Sequence, residues 1–368
     1  MKNILFLSSE FPPLPGGIGN HALHLALSLQ KEGNEVVVVT NQRLTAIEND
    51  INFDTALPFK VERIPRKKVA LITYCNRIYK ALKLVCNTKI TTVLCSGKFS
   101  LWTGAFLKII HTNKKLIAIL HGSEINAGGF LSKAITNWSM NQFDTLIAVS
   151  HFTKNLALEK NKNLQITVIN NGFALPQKDA THNDRVVKGN PVIVTVGNVT
   201  LRKGQQNVIK ALPLLKETFP EIHYHMVGIP TEKETFKKLA ESLGVVENIT
   251  FHNALSDEDL KKVLLQSKVF FMLSDTLKNG DVEGFGIAVL EANALGIPAI
   301  GSKNSGIVDA IQDGFSGKLV NPHDSNEILK ALTDIMSKHE DYATNAKEWS
   351  TQFSWDIIVK KYLEIIEQ

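Results

Sequence analysis

Short apolar runs alternate with longer segments of helical period along most of this chain. NILFLSS is followed by GNHALHLALSLQKEG, with apolar positions three and four apart, and then by EVVVVT. TTVLCSG, KLIAILHG, TLIAVS and ITVINNG come next, with helical segments between several of them. Nearly continuous apolar runs predict strands buried on both faces, and their alternation with helices predicts parallel sheets covered on both sides. The plan restarts at residue 191: PVIVTVG reads as a strand, RKGQQNVIKALPLLKETFP as a helix and IHYHMVG as a strand. ITFHNA, VFFMLS and IPAIGS continue this second sheet. Architecture repeats here, whereas sequence does not. The polar stretch ALPQKDATHNDRVVKGN joins the halves, which places a hinge near residues 172–190. The expected fold class is therefore α/β, with two Rossmann-like domains (1–173 and 190–354) facing each other across a cleft. The last segment, FSWDIIVKKYLEIIEQ, predicts an amphipathic helix over 355–368 that packs back onto the first domain.

Length supports two domains, since 368 residues exceed one ordinary core. The hydrophobic and charged fractions, 44% and 21%, are those of a globular protein. MKNILFLSSEFPP superficially resembles a secretory leader, but its apolar run breaks after Leu7 and meets Glu10, so a buried strand is expected. No apolar segment approaches the roughly 20 residues that cross a bilayer. Cys75, Cys86 and Cys95 are odd in number and lack C-x-x-C spacing, which suits a reducing cytoplasm and small buried hydrophobes.

The net charge of +5 hides an asymmetry: through Gly172 there are 20 Lys/Arg against 10 Asp/Glu, and beyond it 21 against 26. Basic residues gather at Lys60, Arg63, Arg66, Lys67 and Lys68, then at Arg77, Lys80 and Lys83. TYCNRIYKALKLVCNTK has the pattern of a helix with one basic and one apolar face. Two readings stand: a solvated face on a core-packed helix, or peripheral attachment to an anionic membrane at its inner face. Nucleic acid is not expected as a partner, because the basic residues lack interleaved aromatics and a binding motif.

Candidate chemistry falls at strand ends. In FPPLPGGIGNH, Gly17, Gly19 and Ala22 satisfy G-x-G-x-x-A, a dinucleotide pattern. The glycines, however, follow a long proline loop, and EVVVVT ends in Asn-Gln-Arg with no acid for a ribose hydroxyl, although Arg43 suits a 2′-phosphate. A stiff loop presenting glycine amides and a helix start to another ligand is the stronger reading. His121 closes LHGSE, where a ligand contact and a satisfied structural histidine are balanced alternatives. VGNVTLRKGQQ sets Arg202 and Lys203 between a strand and a helix, a favourable place for a diphosphate.

DVEGFGIAVLEANALGIPAI carries two acids, Glu283 and Glu291, in an apolar stretch where an unpaired acid is costly. Gly284 and Gly286 allow close backbone approach, and a helix starting near Gly286 aims its positive end at a ligand. One elongated ligand then meets Glu283, the helix start and Glu291 in turn, and a sugar diphosphonucleoside has that shape. Asp257-Glu258-Asp259 matches a D-x-D metal signature but reads as the capped first turn of a helix behind Ser256. His223 and His225 share a strand face without an evident third ligand, so no metal site is expected.

These pieces together resemble the retaining glycosyltransferases of the GT-B fold, in the large family-four group that includes bacterial phosphatidylinositol mannosyltransferases. The resemblance runs through FPPLPGGIG, HGSE, AVS, INNG, VGNVTLRKG, MVG, the Glu283-to-Glu291 E-x7-E stretch, SGIVDAIQDGFSGKLV and FSWD, in order. It implies an acceptor-binding first domain and a donor-binding second one. Glu291 would bind the donor ribose, and Glu283 with Gly284, Phe285, Gly286 and Ile287 would contact the transferred sugar and diphosphate. Lys203 would stabilise the diphosphate, with Asn198 standing where many members have arginine and Arg202 supplying that charge. His121 would sit beside the sugar; Gly16, Gly17, Gly19 and His21 would line the cleft. The implied reaction moves a hexose from a UDP- or GDP-sugar to a glycan, lipid-linked glycan or glycolipid hydroxyl, with no cofactor and no metal. DVEG resembles mannosyltransferases that use GDP-mannose. A nucleotide-sugar epimerase of the same fold and a catalytically silent nucleotide-sugar binder are the rival readings.

Overall fold

A computed structural model describes residues 1–13, 16–42, 47–87, 89–110, 113–174 and 187–368. Most of the linker expected near 172–190, together with Arg43 and residues 14–15 of the proline loop, lies outside the described residues. The chain divides into two compact units, Met1–Gly172 with Trp355–Gln368, and Phe173–Ser354.

The first unit runs β1 (Asn3–Ser8), α1 (Gly17–Lys31), β2 (Glu35–Asn41), α2 (Ile47–Thr55), β3 (Lys60–Ile64), α3 (Ala70–Asn87) and β4 (Thr92–Ser96). It continues through α4 (Lys98–Ile110), β5 (Lys115–Leu120), α5 (Ser123–Asn126), α6 (Phe130–Met140), β6 (Thr145–Ala148), α7 (His151–Lys160) and β7 (Ile166–Val168). Its seven strands form one parallel sheet in the order β3-β2-β1-β4-β5-β6-β7. The central strands are buried along their length, as their unbroken apolar runs require.

The second unit runs β8 (Val192–Val196), α8 (Gln205–Thr218), β9 (His223–Val227), α9 (Lys233–Ser242), β10 (Ile249–His252), α10 (Asp257–Leu265) and β11 (Val269–Met272). There follow α11 (Ile287–Ala294), β12 (Ala299–Ser302), β13 (Gly317–Val320), α12 (Ser325–Ser337) and α13 (His339–Thr351). Six parallel strands take the order β10-β9-β8-β11-β12-β13. Their core joins Ile193, Tyr224, Phe271 and Ile300 to Leu212 and Leu215 of α8 and Leu332 of α12. Both sheets break their strand order between the first strand and its neighbour, which opens a crevice at the strands' carboxyl ends.

The final helix, α14 (Trp355–Glu367), belongs to the first unit and packs on α1. Its buried stripe of Trp355, Ile358, Val359, Tyr362, Ile365 and Ile366 follows the expected amphipathic spacing. Burying each aliphatic member contributes roughly 1.5–3 kcal/mol relative to exposure.

Two expectations need correction. Cys75 and Cys86 are exposed on α3, and Cys95 alone of the three is buried. Turned away from the apolar stripe, those two cannot serve as core hydrophobes. Much of the basic run is also already paired. Arg63 makes two bonds to Asp54, at 2.7 and 2.8 Å, and Lys60 and Lys80 share Glu62. Arg77 is buried, bonded to Asn41, and lies over the Phe99 ring.

Candidate active site

Chemistry in the second unit begins at the carboxyl ends of β8 and β11. After β8 the chain passes Gly197 and Asn198 into a 3-10 turn, Leu201–Lys203, and then into α8. Gly204 joins turn to helix at a φ of 79°, and a β-carbon there would run into the Leu273 carbonyl. Only glycine fits both demands. The junction is further tied by Asp275, just past β11, whose amide donates to the Arg202 carbonyl at 3.0 Å. Its carboxylate accepts from Gln206 and Asn207 at 3.1 and 2.8 Å, and lies 3.0 Å from His323. Asp275 was not anticipated as a site residue. Its partners lie about 50 to 70 positions away in sequence, so no local pattern reports it.

This anchoring directs Arg202 and Lys203 onto the glutamate loop. Arg202 bonds Glu283 and also reaches Asp281 at 3.3 Å, while Lys203 Nζ stands 2.8 Å from the same Glu283 oxygen. The Lys203 stem passes along Gly197, where an added β-carbon would stand 3.0 Å from its Cε. Burial works to raise the Glu283 carboxyl, but Lys203 and Arg202 outweigh it and hold the group at about 2. Glu283 is therefore a fixed anion at any working pH. Its carbonyl accepts from the Gly306 amide at 2.9 Å, and a side chain at Gly306 would collide with the Gly284 carbonyl. The loop is thus clamped on both sides.

Gly286, at a φ of 91°, caps α11. The helix begins at Ile287 and brings its first amides and positive end to the loop. Phe285 requires a correction: its ring is buried 6.0 Å from Phe353, so only its backbone is available to a ligand. Asn198 is exposed, and its carbonyl accepts from Gln205 at 3.1 Å.

Glu291 follows one turn into α11, half-buried. Burial pushes its carboxyl up to about 7, opposed by Lys203 and assisted by Asp257. Lys203 thus acts electrostatically on both glutamates. Where Glu291 receives the hydroxyls of a donor ribose, as proposed below, the ionised carboxylate is the stronger acceptor, so donor affinity should rise with pH through about 7 and fall by up to about tenfold per unit below it. A Glu291→Gln protein should bind donor weakly and without that dependence in titration calorimetry between pH 5.5 and 8. Because the raised carboxyl costs stability once the unfolded chain ionises, that variant should melt higher than wild type at pH 8, by on the order of 1 kcal/mol, with the difference vanishing only below about 4.5.

The remaining candidates belong to the first unit. His121 follows β5, nearly buried, with Nε2 2.8 Å from Ser96 Oγ, and burial lowers its imidazole to about 3. It is a neutral hydrogen-bonding group rather than an acid. The Glu124 carboxylate accepts from the His121 amide, and burial lifts it to about 7. His21 is corrected. It lies wholly inside the unit, with Nε2 3.2 Å from the Tyr362 hydroxyl and its ring against Trp355, where it locks α14 to α1. Helical spacing put it inward, one turn beyond the glycine loop. Gly17 opens α1 with free space where a β-carbon would stand, Gly16 faces the Glu10 carboxylate, and Gly19 packs on the Phe11 backbone.

The other sequence features prove structural. Ser256 accepts from the Asp259 amide at 3.1 Å, so Asp257–Asp259 form the capped first turn of α10. His225 finds a third histidine unforeseen in the sequence, His252, at 3.0 Å, while its other nitrogen bonds the Lys188 carbonyl at 2.8 Å. Among the described residues no group of three His, Cys, Asp or Glu is arranged to hold a metal.

Family models match both units: "Glycosyltransferase Family 4" over residues 15–175 and "Glycosyl transferases group 1" over 177–349. The chain is 30% identical over 352 residues, 91% of it and 89% of the relative, to a GDP-mannose-dependent alpha-(1-6)-phosphatidylinositol monomannoside mannosyltransferase of Mycolicibacterium smegmatis. A Corynebacterium glutamicum relative, named as the enzyme acting on the monoacylated form, is 23% identical across 100% of this chain and 98% of its own. Among solved structures, Anabaena HepE in complex with UDP and glucose superposes with a TM-score of 0.78 at 18% identity, covering 100% of both chains. Sucrose-phosphate synthase from Thermosynechococcus elongatus also gives 0.78, at 19% identity over 100% of this chain and 99% of the other. The architecture is GT-B, and the chain belongs to the family-four glycosyltransferases.

Proposed function

We propose that this glycosyltransferase moves a hexose from a UDP- or GDP-sugar, with GDP-mannose favoured, to a hydroxyl of a glycan or lipid-linked acceptor, with retention at the anomeric carbon. The carrying observation is that Lys203 and Arg202 both meet Glu283 at the loop before α11, one turn ahead of the half-buried Glu291. In this reading Glu291 holds the donor ribose, and Glu283 with the Gly284–Ile287 backbone meets sugar and diphosphate. Asn198 lies at the donor's edge, while His121 contacts the sugar. Gly16, Gly17 and Gly19 form the loop on the acceptor side, so the first unit takes the acceptor and the second the donor. Loss of the nucleoside diphosphate builds charge on its oxygens, which Arg202, Lys203 and the α11 start stabilise. That supply of positive charge lets the reaction run without a metal or cofactor. The GDP-mannose preference rests on the names of the relatives and on DVEG.

None of the described helices is long and apolar enough to cross a membrane. The lipid-acting relatives and the basic first unit support work at a membrane surface from the cytoplasmic side. A thermal-shift screen of UDP- and GDP-sugars, followed by labelled donor with a membrane lipid extract, tests the whole reading. Stabilisation by one donor class and label appearing on an acceptor are expected. Isomerised donor without an acceptor would instead assign an epimerase, and unchanged donor across the panel would sink both enzyme readings.

A further inference from the structure

Helix α6 is built inside out. Its sequence, FLSKAITNWSM, turns Thr136 and Ser139 into the protein at 1% and 0% exposure. Phe130 and Leu131 stand 85% and 75% exposed, with Ile135 and Trp138 on the same side at 42% and 44%. An ordinary surface helix buries its apolar stripe and wets its hydroxyls. Here the Thr136 hydroxyl is satisfied inward: it accepts from Trp102 Nε1 at 3.0 Å and donates to the Ser132 carbonyl at 2.9 Å. Neighbouring α4 adds exposed Phe106, Ile109 and Ile110 in its second half. Exposed apolar surface gathered on two adjacent helices, rather than scattered singly, marks something that covers it.

Charge identifies the cover. From Lys98 to Met140 the sequence carries five lysines and a single acid, Glu124, which is buried. Lys133 projects from α6 itself, and Lys98 lies at its start, bonded to the Ala127 carbonyl. Among the described residues Lys108 alone of these shows an ion pair, with Asp144. Aromatic and aliphatic side chains on a segment with this excess of lysine over acid match the boundary of an anionic bilayer, where rings enter the headgroup layer and ammonium groups meet lipid phosphate. By contrast, much of the basic segment leading into α3 is spent on Asp54, Glu62 and Asn41.

We infer that the exposed α4–α6 face docks the protein on an anionic phospholipid surface, with Phe130, Leu131, Ile135 and Trp138 inserted and Lys98 and Lys133 on the phosphates. This deepens the membrane part of the proposed function, whereas the donor chemistry stands independently of it. The test is sedimentation of the full chain with vesicles of phosphatidylglycerol and phosphatidylcholine against phosphatidylcholine alone, at low and high salt. Wild type should partition onto the anionic vesicles, less so at high salt, and its tryptophan emission should shift to the blue. A Phe130→Ser, Leu131→Ser double variant should lose at least tenfold in partitioning, and Trp138→Phe should lose most of the emission shift. Both positions are exposed, so melting temperature and the shift given by soluble nucleotide-sugar should stay at wild-type values. Equal binding by the double variant, or no wild-type preference for anionic lipid, would overturn the inference. So would a wild-type dimer that the double variant splits without changing vesicle binding, since the face would then join two copies. Vesicle binding without any nucleotide-sugar shift would leave this face standing and remove the donor reading instead.

Discussion

Replacing Lys203 with alanine should lower kcat by about 10²- to 10³-fold at saturating donor, with a much smaller change in donor affinity. Removing one pre-aimed donor from developing oxyanion charge costs about that much. Lys203 is pre-aimed in a literal sense. Gly197 admits its stem, Gly204 sets the turn, and Glu283 fixes its ammonium at 2.8 Å. Stability should respond as well. Lys203 is the leading influence holding the Glu283 carboxyl down. A depressed carboxyl contributes stability that is complete above its unfolded value of about 4.5 and lost as pH falls towards about 2. The alanine variant should therefore be less stable than wild type at pH 7, by about 1–2 kcal/mol, with the gap closing towards pH 3. Steady-state kinetics with urea melts at both pH values check this, and a wild-type kcat would remove Lys203 from the mechanism.

The sequence made the local parts of this picture readable, while parts that depend on distant partners stayed out of sight. Central strands such as β1 and β8 announce themselves because burial on both faces demands unbroken apolar runs. The edge strands β3 and β13 do not: KVERI and GKLV carry charges, as solvent-facing edges tolerate, and the first reads as a basic run. Arg202, Lys203, Glu283 and Glu291 were legible because glycines and helix starts flank them at fixed offsets. Which acid met which base was not legible, and neither was Asp275, whose partners the fold alone assembles. His21 and Phe285 were misplaced for one reason. Adjacency to a site in sequence does not say towards which face a side chain turns.

Glu283→Gln should separate binding from chemistry in the opposite sense to a simple contact residue. In the ligand-free protein the single charge of Glu283 is shared by Arg202 and Lys203, the cations proposed to meet the diphosphate, while Arg202 also reaches Asp281. Removing its charge leaves Lys203 and Arg202 with more net positive charge to offer, so the nucleoside diphosphate product should bind several-fold more tightly. In the proposed reading the same change also removes an anion beside the transferred sugar, where positive oxocarbenium character develops. Turnover should accordingly fall, by about 10- to 100-fold, even as product affinity climbs. The pH profile supplies a further discriminator. With its carboxyl held at about 2, Glu283 is ionised throughout the working range and cannot exchange a proton near neutrality. The variant's kcat profile between pH 5.5 and 8 should keep the wild-type shape at a lower height. Loss of one limb would show that Glu283 titrates during the reaction, and weaker product binding would show that it holds the nucleotide directly. Tighter binding, slower transfer and an unchanged profile together would establish it as the fixed anion that keeps two cations aimed until the donor arrives.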